Sequence, residues 1–178
     1  MFQYERDAQR VYEAVIKRME LFGLELSKEK TRILPFGRYS GSRETFDFLG
    51  FTHFNSKTRK GYYSVGHKIS RKKKKQFKSN LKKWVKENRN TQFDEFMKAL
   101  NKKLTGSFNY YSLSGMIKEV RNLWIHSLYV TFKWLNRRSQ RRSFKLERFY
   151  EIWNDRIIHP YIHVDIWSGD KVIYNKNV

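Results

Sequence analysis

Cysteine is missing from this 178-residue chain. Its absence excludes disulfides and thiolate metal sites, and nothing else in the composition contradicts an intracellular setting. Long apolar runs are missing too, because none approaches the roughly 20 residues that span a bilayer, and no signal-peptide pattern opens the chain. We therefore expect neither a secreted protein nor a membrane protein.

Acidic residues are scarce. The chain has 17 Asp and Glu against 38 Lys and Arg, which gives a formal net charge of +21. This excess predicts a polyanionic partner, with nucleic acid as the first candidate and an anionic membrane surface as the second. The excess is also uneven: residues 1–50 hold nine basic and eight acidic residues, a balance of +1, so the rest of the chain carries +20.

Clusters of metal-ligating side chains are also lacking. The five histidines are scattered. Pro160 lies between His159 and His163, where it disfavours the continuous helix that would put both imidazoles on one face. A pair of adjacent aspartates occurs nowhere. We expect no metal site and no cofactor in this chain.

What the chain does have is a basic amphipathic helix that begins at Arg71. Phe77, Leu81, Trp84 and Val85 recur at helical spacing and predict an apolar stripe that packs on a core. No acidic residue lies between Lys57 and Lys86, so helix-stabilising pairs of Glu and Lys are missing. The alternative is a solvated lysine helix kept for solubility, but we favour a face that binds an anion. The basic residues of this helix are Arg71, Lys72, Lys73, Lys74, Lys75, Lys78, Lys82, Lys83 and Lys86.

Before this helix the pattern predicts a small mixed α/β region. A helical apolar stripe over residues 5–22 ends at Gly23, where a helix C-cap is expected. We predict a short strand over residues 31–36, a polar loop over 37–44 and a buried strand over 46–51 that continues to 54. A polar turn over residues 55–61 then joins this strand to residues 62–65 as a β-hairpin.

After the lysine helix we predict further helices. Thr91 and Asp94 resemble a capping box that opens a helix with an apolar face, and Gly106 is expected to end it. The connection at 107–115 is rich in aromatics, which either stack on bases or pack between helices, and we favour packing. The longest helical pattern covers residues 116–138, and Ser143 is a candidate cap for the helix that follows.

A second basic cluster lies between these last two helices, in the segment NRRSQRRSFK. Arginine side chains bind phosphate through two parallel hydrogen bonds, so we predict a phosphate-binding turn there. Its candidate residues are Arg137, Arg138, Arg141 and Arg142.

Several segments occur in an order that resembles a known family. GLELSKEKT, ETFDFLGF, KKLTGSFNYYSLSG and KWLNRRSQRRSF together look like the C-terminal part of a group II intron reverse transcriptase, the end of the palm followed by the thumb or maturase domain. The resemblance implies an α+β protein with a palm remnant over 1–66, a helical thumb over 67–155 and an irregular tail over 156–178. It also implies a bacterial cytoplasmic location.

The resemblance carries over to five residues of the first region. Lys30 matches the palm lysine near the phosphates of the incoming nucleotide, which implies an accessory phosphate contact. Phe48, Leu49, Gly50 and Phe51 match the start of the primer-grip hairpin, which holds the end of the primer.

One departure from the family is informative. Such polymerases hold two Mg²⁺ ions with carboxylates that include a YADD turn. That turn would precede the first helix, and it is missing from this chain. We expect no polymerase activity from this chain alone, and we interpret it as a truncated reading frame or a C-terminal piece of a longer protein. The implied Mg²⁺ belongs to the intact polymerase.

Three functions remain open from the sequence. The first is a fragment that grips the backbone of intron RNA or a template-primer duplex, with DNA as a further partner. The second is polymerisation when a missing upstream palm supplies the carboxylates, and the third is a generic basic protein that compacts nucleic acid. The oligomeric state stays open. The residues predicted to bind RNA are Arg71, Lys72, Lys74, Lys75, Lys78, Lys82, Arg137, Arg138, Arg141 and Arg142.

Overall fold

The computed structural model describes residues 2–27, 29–138 and 143–161. Their fold is α+β, as predicted, with a three-stranded antiparallel sheet and five helices in the described part. The chain divides into two compact units: residues 1–46 with 54–66, and residues 47–53 with 67–178. None of the described helices is both long and apolar enough to cross a membrane. The elements are α1 (Glu5–Leu21), β1 (Thr45–Phe48), β2 (Phe51–Lys57), β3 (Tyr63–Ile69), α2 (Arg71–Asn88), α3 (Phe93–Tyr111), α4 (Ile117–Leu135) and α5 (Leu146–Arg156).

The first helix forms where the apolar periodicity predicts it, and the chain leaves it at Gly23 with a left-handed φ of 68°. None of its side chains is buried. Val11 and Val15 on its apolar stripe are exposed. Periodicity therefore identifies the helix, whereas burial also requires a neighbouring surface of sufficient area.

The strand predicted over residues 31–36 is wrong, because this segment has irregular backbone. Pro35 has no backbone N–H to donate to a neighbouring strand. Apolar packing persists without the strand, since the ring of Phe36 meets the edge of Phe46 with centroids 5.0 Å apart.

The sheet has the order β1-β2-β3. The predicted hairpin is confirmed as β2 and β3, although both strands extend further than the sequence indicated. The single buried strand over 46–51 is wrong, because the chain turns at Leu49 and Gly50, whose φ angles are 49° and 83°. This turn separates β1, which has no buried residue, from the buried start of β2.

Four helices build the core of the C-terminal unit. Val85 of α2, Leu100 of α3, Leu135 of α4 and Trp153 of α5 are each completely buried. Seven side chains of α4 are buried, and Ser127 and Thr131 are among them together with their apolar neighbours. These apolar positions are Val120, Leu123, Trp124, Leu128 and Leu135.

The contacts between side chains set the directions of these helices. Lys74 and Glu119 pair near the starts of α2 and α4, and Lys86 lies against Trp134 near their ends, so the two helices run parallel. Helix α5 runs antiparallel to α4: Trp124 contacts Trp153, whereas the later Phe132 contacts the earlier Phe149.

Two boundary predictions for α3 are wrong. Thr91 precedes the helix, whose N-cap is Gln92 without a side-chain hydrogen bond, and Asp94 pairs with Arg156 instead of completing a capping box. Gly106 lies within α3, which continues to Tyr111. Burial of Leu104 and Phe108 on either side of the glycine outweighs its cost of about 1 kcal/mol in a helix.

The connection predicted over 107–115 is correspondingly shorter, because residues 107–111 are helical. Packing is confirmed for Phe108, which is buried in the core. Ser143 is not the cap of α5, since the N-cap is Lys145 and makes no side-chain hydrogen bond. The predicted tail lies outside the described residues beyond Tyr161.

Candidate nucleic-acid interface

Helix α2 has the two faces that its sequence predicts. Leu81 and Val85 are buried, and Phe77 and Trp84 pack against the same core. Ser70 fixes the start of the helix: its hydroxyl accepts a hydrogen bond from the Lys73 amide at 3.4 Å. The apolar side is therefore anchored, which leaves the basic side facing solvent.

Six cations follow one line along α2 at intervals of three or four residues, the spacing that places side chains on one helix face. We call this line the cationic stripe. Five of its members are exposed, and the last is half-buried. At 1.5 Å per residue the stripe is about 27 Å long. Its members are Arg71, Lys75, Lys78, Lys82, Lys86 and Arg89.

The stripe carries no compensating negative charge among the described residues. Their three ion pairs are Lys74 with Glu119, Arg148 with Glu151 and Arg156 with Asp94. None of these involves a member of the stripe. Like charges one helical turn apart repel, so an anion lying along the stripe would be favoured.

Two of the predicted RNA-binding lysines lie beside the stripe rather than on it. Lys74 is only 33% exposed, and its ammonium group lies 2.6 Å from the carboxylate of Glu119. That pairing already occupies much of its charge. Lys72 is exposed on the other side of the stripe.

Helix α4 packs against α2 and places His126 near Lys78 of the stripe. This imidazole is half-buried, and its pKa is lowered, first by burial and then by the nearby charge of Lys78. His126 therefore lies at the edge of the stripe.

The four residues predicted to form a primer grip lie on one turn next to the start of α2. Phe48 and Leu49 are 60% and 67% exposed. Phe51 is buried and stacks on Tyr110 with ring centroids 5.5 Å apart. Phe51 therefore supports the turn, while Phe48 and Leu49 are the side chains that face solvent.

Hydrogen bonds hold this turn in place. The Tyr110 hydroxyl donates to the Leu49 carbonyl oxygen, and the Ser70 amide donates to the Gly50 carbonyl oxygen at 2.9 Å. A left-handed φ strains a leucine and is maintained by its surroundings. The sequence did not predict the role of Tyr110, because its partner Leu49 lies 61 positions away along the chain and no local pattern indicates that contact.

The other predicted phosphate contacts are more dispersed. Lys30 is exposed in a turn of the N-terminal unit, where its amide donates to the Ser27 carbonyl oxygen at 3.0 Å. Arg137 is exposed after the end of α4, and Arg138 is half-buried next to it. Arg141 and Arg142 lie outside the described residues.

A histidine pair joins the ends of β2 and β3 in the C-terminal unit. The Nδ1 atoms of His53 and His67 lie 2.8 Å apart, so the N–H of one imidazole donates a hydrogen bond to the unprotonated nitrogen of the other. The pKa of His67 is lowered, mainly by burial and also by His53. The described residues contain no group of three or more histidine and carboxylate side chains that could hold a metal ion.

Comparison with models of protein families, with curated proteins and with solved structures found no match.

Proposed function

We propose that this chain is a basic RNA-binding fragment of a group II intron reverse transcriptase or maturase. In this proposal it grips the backbone of intron RNA or of a template-primer duplex and thereby supports intron splicing and reverse transcription. The family assignment rests on the ordered segments that resemble such proteins. The observation that carries RNA binding is the cationic stripe, an exposed row of cations without acidic partners among the described residues.

The chemistry of this binding is electrostatic. Each neutralised phosphate releases counterions, so the affinity falls as the salt concentration rises. Lysine and arginine contacts to the backbone respond to the shape of a duplex more than to its sequence. The exposed Phe48 and Leu49 add an apolar contact at the start of α2, where the resemblance implies the end of a primer.

Reversing three charges on the stripe tests the proposal. The variant Lys75→Glu, Lys78→Glu, Lys82→Glu should bind duplex RNA much more weakly, and its slope of log affinity against log salt should fall by roughly three, about one for each lost contact. Fluorescence anisotropy over a salt titration measures both quantities. Lys74 stays unchanged, because its removal would leave Glu119 unpaired.

The matched control reverses three exposed cations on α1 instead: Arg6→Glu, Arg10→Glu, Lys17→Glu. Both variants change the net charge by the same amount, so they separate a local contact from a general attraction. An equal loss in the two variants would contradict the stripe as the binding surface. Binding that is absent or insensitive to salt in the unchanged protein would contradict RNA binding itself.

A further inference from the structure

At the far end of the cationic stripe, several cations lie around the ring of Trp134. The indole ring is half-buried near the end of α4. Three cations surround it: Lys86 Nζ lies 5.8 Å from the ring centroid, Arg89 Cζ lies 5.5 Å away and Arg137 Cζ lies 5.2 Å away. These cations come from α2, from the residue that follows it, and from the segment after α4.

The aromatic ring attracts each of these three charges. A cation near an exposed aromatic ring gains about 0.5–1 kcal/mol. The cations also repel one another, since all lie within 6 Å of one centroid. None forms an ion pair within the described residues. An anion between them would remove this repulsion.

We propose that Lys86, Arg89 and Arg137 form a phosphate clamp that holds a backbone phosphate of the RNA at the far end of the stripe. Trp134 is the positioning residue of this clamp. Guanidinium groups match phosphate oxygens through two parallel hydrogen bonds, which a lysine cannot do. The cations already occupy positions around the indole, so we assign it to holding them and not to stacking on a base.

This inference rests on the proposed function and adds a length requirement to it. The stripe spans about 27 Å at 1.5 Å per residue, and an A-form RNA duplex advances about 2.8 Å per base pair, so roughly ten base pairs separate Arg71 from the clamp. A short stem can occupy the rest of the stripe without reaching the clamp. A longer stem reaches both.

Two RNA hairpins with the same loop and stems of 5 and 12 base pairs test the clamp. The variant Arg89→Gln, Arg137→Gln should lose about tenfold or more in affinity for the long stem, and its salt slope should fall by about two. Its affinity for the short stem should stay within about twofold of the unchanged protein, because the remaining stripe still holds that stem. The control Lys98→Gln, Lys102→Gln removes two exposed cations of α3 instead.

The role of Trp134 needs its own variants, because its loss leaves every charge in place. Trp134→Leu should weaken binding of the long stem, and Trp134→Phe should restore most of that loss by keeping an aromatic ring. Circular dichroism and thermal unfolding verify that each variant is folded.

Three results would overturn the clamp: an equal loss for both stems, an equal loss in the Lys98 and Lys102 control, or unchanged binding in Trp134→Leu. Failure of the proposed function looks different, because the unchanged protein would then bind neither stem.

Discussion

At the scale of single residues, environment changes what a side chain can do. Lys74 and Lys75 are neighbours in an unbroken run of lysines, and the sequence gives no reason to separate them. In the fold, Lys74 pairs with Glu119, while Lys75 is exposed. The partner lies 45 positions away on α4. The pattern of α2 alone does not show how α4 runs relative to it. Long-range pairing therefore separates lysines that form ion pairs within the fold from lysines that are free to bind an anion.

The environment of His126 should make the stability of the fold depend on pH. Burial and Lys78 lower its pKa below the ordinary value of 6.5. As the pH falls through 6.5, the unfolded chain takes up a proton that the folded chain resists, so stability is lost. We expect the free energy of unfolding to fall more between pH 7.5 and pH 5.5 in the unchanged protein than in His126→Gln. Urea unfolding followed by circular dichroism measures both values.

The difference between the two proteins is the informative quantity, because the lowered pKa of His67 contributes to the pH dependence of both. Equal losses would show that His126 does not contribute to the pH dependence. A larger loss in His126→Gln would mean that its charged form is favoured by the fold.

At the scale of elements, apolar periodicity predicts helices more reliably than cap, glycine and proline signals predict where elements begin and end. Helices α1, α2 and α4 lie where three- and four-residue apolar spacing predicts them. The errors fall at Gly106, at the capping box and at the 31–36 strand, where local signals compete with tertiary contacts. The turn at Leu49 could not be predicted either, since leucine is not a residue that indicates a left-handed φ.

The correction at Gly106 makes a prediction about α3. Gly106→Ala should raise the free energy of unfolding by about 0.5–1 kcal/mol, because alanine suits a helix interior and loses less backbone entropy. Nothing lies within 4 Å of the position that the added methyl group would take. Denaturant unfolding at neutral pH measures the change.

Gly66 in β3 provides the contrasting variant. A methyl group there would collide with the ring of Phe54. Gly66→Ala should therefore destabilise the hairpin, although the amino-acid change is the same. Stabilisation at Gly66, or destabilisation at Gly106, would contradict this packing.

At the scale of the whole molecule, the net charge of +21 opposes folding through repulsion and also favours binding of a polyanion. Its distribution could be derived from the sequence, as could the α+β class and the basic face of α2. The assembly of Trp134 with cations from three segments could not, because it depends on the parallel packing of α2 and α4. The sequence therefore predicts the kind of partner better than it predicts the site.

Salt should stabilise the unliganded protein against unfolding, although it weakens RNA binding. Five neighbouring like-charge pairs along the stripe, at about 0.2–0.5 kcal/mol each, oppose folding by roughly 1–2.5 kcal/mol. Raising NaCl from about 50 to 500 mM screens this repulsion, so Tm should rise by a few degrees. Differential scanning calorimetry measures the shift.

The variant Lys75→Glu, Lys78→Glu, Lys82→Glu should show a smaller rise, because its stripe mixes both signs of charge. If Tm is unchanged by salt, or falls, repulsion along the stripe does not limit stability.

The parallel order of α2 and α4 also gives the C-terminal unit an electrical polarity. Helix dipoles place about half a positive charge at each N-terminus and half a negative charge at each C-terminus, and here two like ends lie together. Glu119 occupies the first turn of α4, while Lys86, Arg89 and Arg137 gather where both helices end. The same cations therefore offset the paired dipoles, and an acidic side chain at position 86 would cost more stability than one at position 75.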